Sequence, residues 1–279
     1  MASEEKAIEI EKASLLMRQD IVRMTYKMGN TGAHIGGGMS LVEIMAVLYL
    51  HTMKYDINHM NDEMRDRLIL SKGHGTLALY AAMKQAGIID SEDLESFKQN
   101  ESQLSAHPAI NEDLGIEFSS GSLGQGLSLG VGMCLGLKRK NNDSSRVFVI
   151  LGDGECDEGS VWEAAQSAAH FECSNLVAIV DNNKLQYDGN TESVMALSCI
   201  ADKWKSFGWN TIEIDGHDTK SIIAGFDAIK NGPTVIIADT VKGKGVSFME
   251  NDPSWHNHSL SQEQYVKAML ELGVEVSND

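Results

Sequence analysis

Apolar residues recur at helical spacing from about Glu4 to Met28, Ile8, Ile10, Leu15, Leu16, Ile21 and Met24 among them, and a Gly/Asn cluster closes the run. The pattern predicts an N-terminal helix. A glycine-rich turn from Gly32 to Gly38 is expected next, followed by a second apolar helix from about Leu41 to His51. Arg67 to Ser71 is a short apolar run that breaks at Lys72-Gly-His-Gly75 before a helical stretch from Leu77 to Gln85, so the simplest parse is strand, glycine turn, helix. From about Asp90 to Phe118 the pattern is weak and polar, and such a length predicts a functional loop with a short helix. Gly121 to Gly130 then opens a helix that reaches Arg139, rich in small residues that let its backbone press closely on a neighbour.

The next apolar runs are Val147 to Leu151, Leu176 to Val180, Thr211 to Ile214 and Thr234 to Ala238, alternating with helical patterns near 158–170 and 218–230. Continuous apolar strands alternating with helices predict an α/β fold, a parallel sheet with helices on both faces. There is no internal repeat, low-complexity segment or Pro/Ser-rich linker, so residues 1–279 are expected to form one domain with a polar tail after about Val274. That length is ample for a real core.

Composition narrows the partners. A net charge of −17 argues against a nucleic-acid groove or an anionic membrane surface. The four cysteines (Cys134, Cys156, Cys173, Cys199) show no CxxC pair or zinc-finger spacing, which predicts reduced thiols in a cytoplasmic protein. The first residues are acidic, without a basic n-region or apolar h-region, and no run reaches the roughly 18 apolar residues of a membrane span, so neither export nor insertion is expected. A site for an anionic substrate in so acidic a chain must concentrate its few cations. Lys72 and Lys242, both in glycine turns at strand ends, are candidates.

The strongest chemical signal is Leu151-Gly-Asp-Gly154 at the end of one buried strand and Asp181-Asn-Asn183 at the end of the next, one helical crossover apart. Both turns should then lie on the same carboxyl edge of the sheet, where open α/β folds bind ligands, with Asp153 facing Asn183. One carboxylate, one amide oxygen and a nearby backbone carbonyl suit Mg²⁺ that shares its shell with a bound phosphate group, which implies a phosphorylated cofactor. Gly154 lets a diphosphate approach the backbone, and the helix beginning near Glu158 can aim amide groups at it. Either turn alone is usually structural; the joint spacing carries the reading.

Residues 152 to 189, GDGECDEGSVWEAAQSAAHFECSNLVAIVDNNKLQYDG, closely resemble the thiamine diphosphate motif of transketolases. TGAHIGG at 31–37, SKGHG at 71–75, GSLGQG at 121–126, DGHD at 215–218, TVKGKG at 240–245 and SWH at 254–256 resemble the same family in the same order. The resemblance spans nearly the whole chain and implies the diphosphate-binding (PP) fold with thiamine diphosphate and Mg²⁺ as cofactors. It implies that Asp153, the Asn183 side chain and the Leu185 carbonyl ligate Mg²⁺, and that Gly154 contacts the diphosphate. Gly121, Ser122 and Leu123 resemble the segment lining the cofactor, with Lys242 and His74 close by. His34, His107 and His256 resemble substrate-facing histidines, and Glu158 and Glu163 match glutamates that link paired active sites through a buried acidic network. Histidine suits the proton transfers of ketose cleavage because it titrates near neutral pH. His217 is expected to support its loop; His51, His59, His170 and His258 are read as structural or solvated, and Trp162 and Trp255 as packing residues, with Trp255 aiming His256.

The chain departs from the family in length. Only about twenty residues follow SWH, and they read as one short helix and a tail, so the pyrimidine-binding domain and its activating glutamate are expected on a partner chain. The resemblance to two-chain members implies a separate C-terminal subunit carrying that domain, two copies of each chain in a heterotetramer, and sugar phosphates as substrates, of the xylulose 5-phosphate and ribose 5-phosphate type. Ile35 replaces a frequent proline, and Gly37 stands where some members offer a hydroxyl to the cofactor. The rival readings are a ketolase subunit for a modified ketose phosphate, the α chain of a 2-oxo acid dehydrogenase, and a non-catalytic thiamine diphosphate-binding subunit; TVKGKG and the histidine set argue against the last two. A nicotinamide-binding domain is weaker still, since no GxGxxG follows a strand.

Overall fold

The computed structural model describes residues 2–276. Five strands, β1 (Arg67–Leu70), β2 (Val147–Gly152), β3 (Leu176–Asn182), β4 (Asn210–Asp215) and β5 (Thr234–Asp239), form one parallel sheet in the order β1-β2-β3-β5-β4. The expected α/β class and all five strands are found. Alternate residues of each strand serve opposite faces, as the two-residue period of a strand requires. Leu68, Leu70, Phe148, Ile150, Val177 and Ile179 enter a core shared with helices α1 (Ala2–Lys27), α2 (Ile35–Met39), α3 (Val42–Val47) and α4 (Thr76–Gln85). After the short α5 (Ser91–Glu95) come α6 (Gly126–Arg139) and α7 (Gly159–His170), which cover Ile69, Val149, Leu151, Ala178 and Val180 on the other face.

Several local expectations are corrected. The Gly32–Gly38 turn is partly helical: α2 buries Gly36, Gly37 and Gly38, where a Cβ on Gly36 would stand 2.7 Å from the Trp255 carbonyl oxygen and one on Gly38 3.0 Å from Leu77 Cβ. Close packing thus offsets the entropic cost of a glycine helix. The helix expected over Leu41 to His51 begins at Val42 and winds wider from Leu48 to Thr52. The segment from Gly121 to Gln125 precedes α6 as a loop. β4 is an edge strand with Glu213 and Asp215 exposed, not a strand buried on both faces. The short helices α8 (Thr191–Val194) and α9 (Ile200–Ser206) had no sequence signal strong enough to predict them; α10 (Thr219–Asp227) and the C-terminal α11 (Gln262–Glu271) did.

The small-residue helix does press closely. A Cβ on Gly126 would lie 2.4 Å from Ser71 Cβ and 2.9 Å from its Cα, and the Gly126 amide donates to Ser71 Oγ at 3.0 Å. Because backbone must move, Gly126→Ala is expected to lower stability by about 3 kcal/mol, in the range of overpacked cores. A lowered urea midpoint at unchanged slope is the measurement; an unchanged midpoint would refute the close approach.

Candidate active site

The carboxyl ends of β2 and β3 pair in register, Gly152 with Asp181, and the Asp153 amide donates to the Asp181 carbonyl at 3.2 Å. The two turns therefore share one edge, as their spacing predicts. Asp153 is buried; its carboxylate accepts from the Gly154 amide at 2.8 Å and the Lys184 amide at 2.5 Å. Burial, with the Asp181 charge beside it, pushes the Asp153 carboxyl up to about 6. A buried carboxylate in that condition gains from a cation. Asn183 is buried too, with its amide nitrogen donating to Asp181 at 3.2 Å and its oxygen accepting from the Leu185 amide at 3.1 Å.

The Leu185 carbonyl accepts from Lys242 Nζ at 3.0 Å, so it already faces a positive charge. Among the described residues no cluster of three or more His, Cys, Asp or Glu forms a metal site. Of the two carboxylates lining the cavity, Glu155 is taken up by Ser71 and two glycine amides, which leaves Asp153 with neutral oxygens as the available donors. Asp153, Asn183 and Leu185 border one cavity of about 260 Å³, together with Gly154 and Lys242. A hard divalent cation that keeps water or phosphate oxygens fits such a set.

The same cavity gathers His34, His74, His107 and His256 from four distant segments. Ring centroids of His34 lie 5.8 Å from His74, 5.4 Å from His107 and 5.5 Å from His256, and His74 lies 5.0 Å from His256. The structure corrects one expectation, that these groups titrate near neutrality. Burial, with the nearby His107 and Lys98, lowers His34 to about 4; burial and Lys242 lower His256 to about 3. Burial lowers His107 as well, and burial beside Lys72 holds His74 well below the usual value. Lys242 Nζ stands 2.9 Å from His256 Nδ1, which makes that nitrogen an acceptor and the ring neutral. Four neutral imidazoles both donate and accept hydrogen bonds. Burial, with the Lys72 charge, lowers Lys242 to about 8.

These depressed values carry a sign for stability. Between about pH 4 and the ordinary histidine range the unfolded chain binds protons that folded His34 and His256 refuse, so stability falls as pH drops through that window. The melting temperature of His34→Asn/His256→Asn should decline less steeply from pH 6.5 to 4 than that of the natural chain. Parallel declines would contradict the neutral cluster.

Other assigned positions fall out unevenly. Gly121 and Leu123 line the cavity; Ser122 is exposed beside it. Glu158 and Glu163 are exposed, Glu158 at the start of α7 and Glu163 a turn along it, and neither lines the cavity. Within this chain they make no buried acidic network. Trp255 is buried against Phe248 and His258, at centroid distances of 5.3 and 4.5 Å, as a packing residue should be.

Four residues escaped the sequence reading. Glu155, buried, accepts from Ser71, from the Gly124 amide at 2.8 Å and from the Gly152 amide at 3.0 Å, tying the two glycine segments together. Asp181 pairs with Lys72 beneath the cavity and accepts from Ser40 at 2.7 Å and from Thr240. Gln186 and Tyr187 line the mouth. Asp181 stood in the motif, but nothing in its spacing separates a buried partner for lysine from a turn residue.

A parallel sheet whose carboxyl edge gathers a carboxylate, neutral oxygens, glycine turns and a lysine is the architecture of a domain that binds a phosphorylated cofactor. The family model for the transketolase thiamine diphosphate binding domain matches residues 11–279, and the chain belongs to this family. It is 38% identical over 271 residues to the 6-deoxy-6-sulfo-D-fructose transketolase subunit of a Clostridium species, covering 96% of this chain and 98% of that one. To an apulose-4-phosphate transketolase subunit from Phocaeicola vulgatus it is 39% identical over 266 residues, covering 94% and 93%. Its fold superimposes on Leishmania mexicana transketolase with a TM-score of 0.86 at 28% identity, covering 95% of this chain but 41% of that one. The chain thus spans less than half the length of such solved transketolases.

Proposed function

We propose that this chain is the N-terminal, diphosphate-binding subunit of a two-chain transketolase. It holds thiamine diphosphate through Mg²⁺ and, with a C-terminal subunit carrying the pyrimidine-binding domain, moves a two-carbon ketol unit from a ketose phosphate to an aldose phosphate. The observation that carries the reading is the meeting of four neutral imidazoles with Asp153, Asn183 and Leu185 in one cavity. In this reading oxygens of those three residues hold the metal, Gly154 admits the diphosphate, and Gly121, Ser122, Leu123, His74 and Lys242 border the cofactor. When bound, the cofactor supplies the thiazolium carbon that takes up the donor's two-carbon unit. His34, His107 and His256 orient the sugar's hydroxyl and carbonyl oxygens and hold protons there. Glu158 and Glu163, exposed here, would meet their partners only in the assembly, for which we propose two copies of each chain in the cytoplasm.

The test is ketol transfer from xylulose 5-phosphate to ribose 5-phosphate with Mg²⁺ and thiamine diphosphate, by this chain alone and with its copurifying partner. Activity in the mixture only is expected; turnover by the chain alone would overturn the two-chain reading. The names of the two relatives support a second reading, a modified ketose donor. Offering a sulfonated or branched ketose beside xylulose 5-phosphate separates the two. Oxidation of pyruvate with a dye acceptor, and no ketol transfer, would favour a 2-oxo acid dehydrogenase.

A further inference from the structure

The loop Val241–Gly245 presents Lys242 to the cavity, yet both its ends are held from the far side by groups that never reach the cavity. At its start, the Val241 amide donates to His217 Nε2 at 2.8 Å. His217 Nδ1 lies 2.9 Å from Glu43 Oε2. An imidazole that accepts at Nε2 must donate from Nδ1, so His217 is neutral and in one tautomer. Glu43 in turn takes Arg18 in a two-pronged pair, Nη1 to Oε1 at 2.5 Å and Nη2 to Oε2 at 2.9 Å. At the loop's other end, Arg18 Nε donates to the Lys244 carbonyl at 2.9 Å, and a Cβ on Gly245 would stand 2.7 Å from Arg18 Cδ.

One buried ion pair, rooted in α1 and α3, therefore clamps both ends of the loop through the main chain. Between the clamps Gly243 has φ +79°, and its amide donates to the Gly36 carbonyl at 3.1 Å. Lys242 is left with little freedom: its ammonium bridges the Leu185 carbonyl at 3.0 Å, the Gln186 carbonyl at 3.3 Å and His256.

We infer that His217, held by the Arg18–Glu43 pair, is a positioning residue that sets Lys242 in the cavity through the Val241 amide. That Lys242 serves a cofactor rests on the function proposed above; that His217 places it does not.

The amide side chains separate the two bonds of the imidazole. His217→Gln can set its oxygen where Nε2 stands and still accept from Val241, whereas His217→Asn reaches only toward Glu43. The experiment is competitive acetylation of the folded full-length chain at one pH, with peptide-level quantification. Lys72, buried and paired with Asp181, is the internal reference for general loosening.

Labelling of Lys242 is expected to rise at least about tenfold in His217→Asn and to stay within about twofold of the natural chain in His217→Gln, with Lys72 protected in all three. A rise at Lys242 matched by Lys72, or equal in both variants, would make His217 merely structural, and no rise in either variant would remove its hold on the loop. Thiamine diphosphate affinity of the same proteins, measured with Mg²⁺ and the copurifying partner, reports separately on the cofactor. If labelling follows the expected pattern while affinity stays constant, the positioning stands and Lys242 loses its proposed place in cofactor binding.

Discussion

Asp153→Ala abolishes Mg²⁺-dependent thiamine diphosphate binding in the assembled complex, an expected loss of at least about 100-fold in affinity. Replacing outer-shell partners already costs metal sites about 10–100-fold. Asp153 offers the available carboxylate for the proposed metal, since Asn183 and the Leu185 carbonyl are neutral, Asp181 is occupied by Lys72, Ser40 and Thr240, and Glu155 by Ser71 and the Gly124 and Gly152 amides. Titration calorimetry with and without Mg²⁺ measures it. Affinity equal to that of the natural chain would discard the metal site. The variant should fold, because removing a carboxylate that burial pushes up to about 6 relieves a strained ionisation.

Lys72→Met should be the most destabilising single change near the cavity, by about 3–5 kcal/mol, the usual cost of leaving one member of a buried ion pair alone. Lys72 is 1% exposed and Asp181 0% exposed, so water cannot replace the missing charge. Asp181 would keep neutral donors from Ser40, Thr240 and Asn183, which soften the loss without cancelling the charge. The Lys72 charge and its hydrogen bond, with those of Ser40 and Thr240, outweigh burial and hold the Asp181 carboxyl below its ordinary range. Adding Asp181→Asn to Lys72→Met should recover most of the loss, because no unpaired charge then remains. Chemical denaturation of the parent and the two variants decides the matter. A single variant as stable as the parent would show that the pair is solvated.

Much of this was legible along the chain because it depends on local order. The strand ends carrying Gly152-Asp153 and Asn182-Asn183 are bounded by apolar runs of five residues each, and a crossover between parallel strands returns both ends to one edge. The glycines of α6 announced a close approach, and Ser71 proved to be its partner. The ordered motifs nominated the histidines singly. Neither the mouth residues Gln186 and Tyr187 nor the short helix α9 carries a period or turn signal of its own.

What the sequence determined by itself is therefore the class of fold, the edge on which the site lies, and which side chains were available there. Tertiary structure decided the rest, because the deciding terms are long-range. Burial beside Lys242 and among its fellow rings, not residue type, keeps His256 neutral, and those groups come from segments far apart in the chain. Glu155 and Glu158 are acidic neighbours three residues apart, yet one is buried and bonded to two glycine amides while the other faces solvent. Only packing separates them, since the desolvation that sets a carboxylate's role depends on what the rest of the chain places around it.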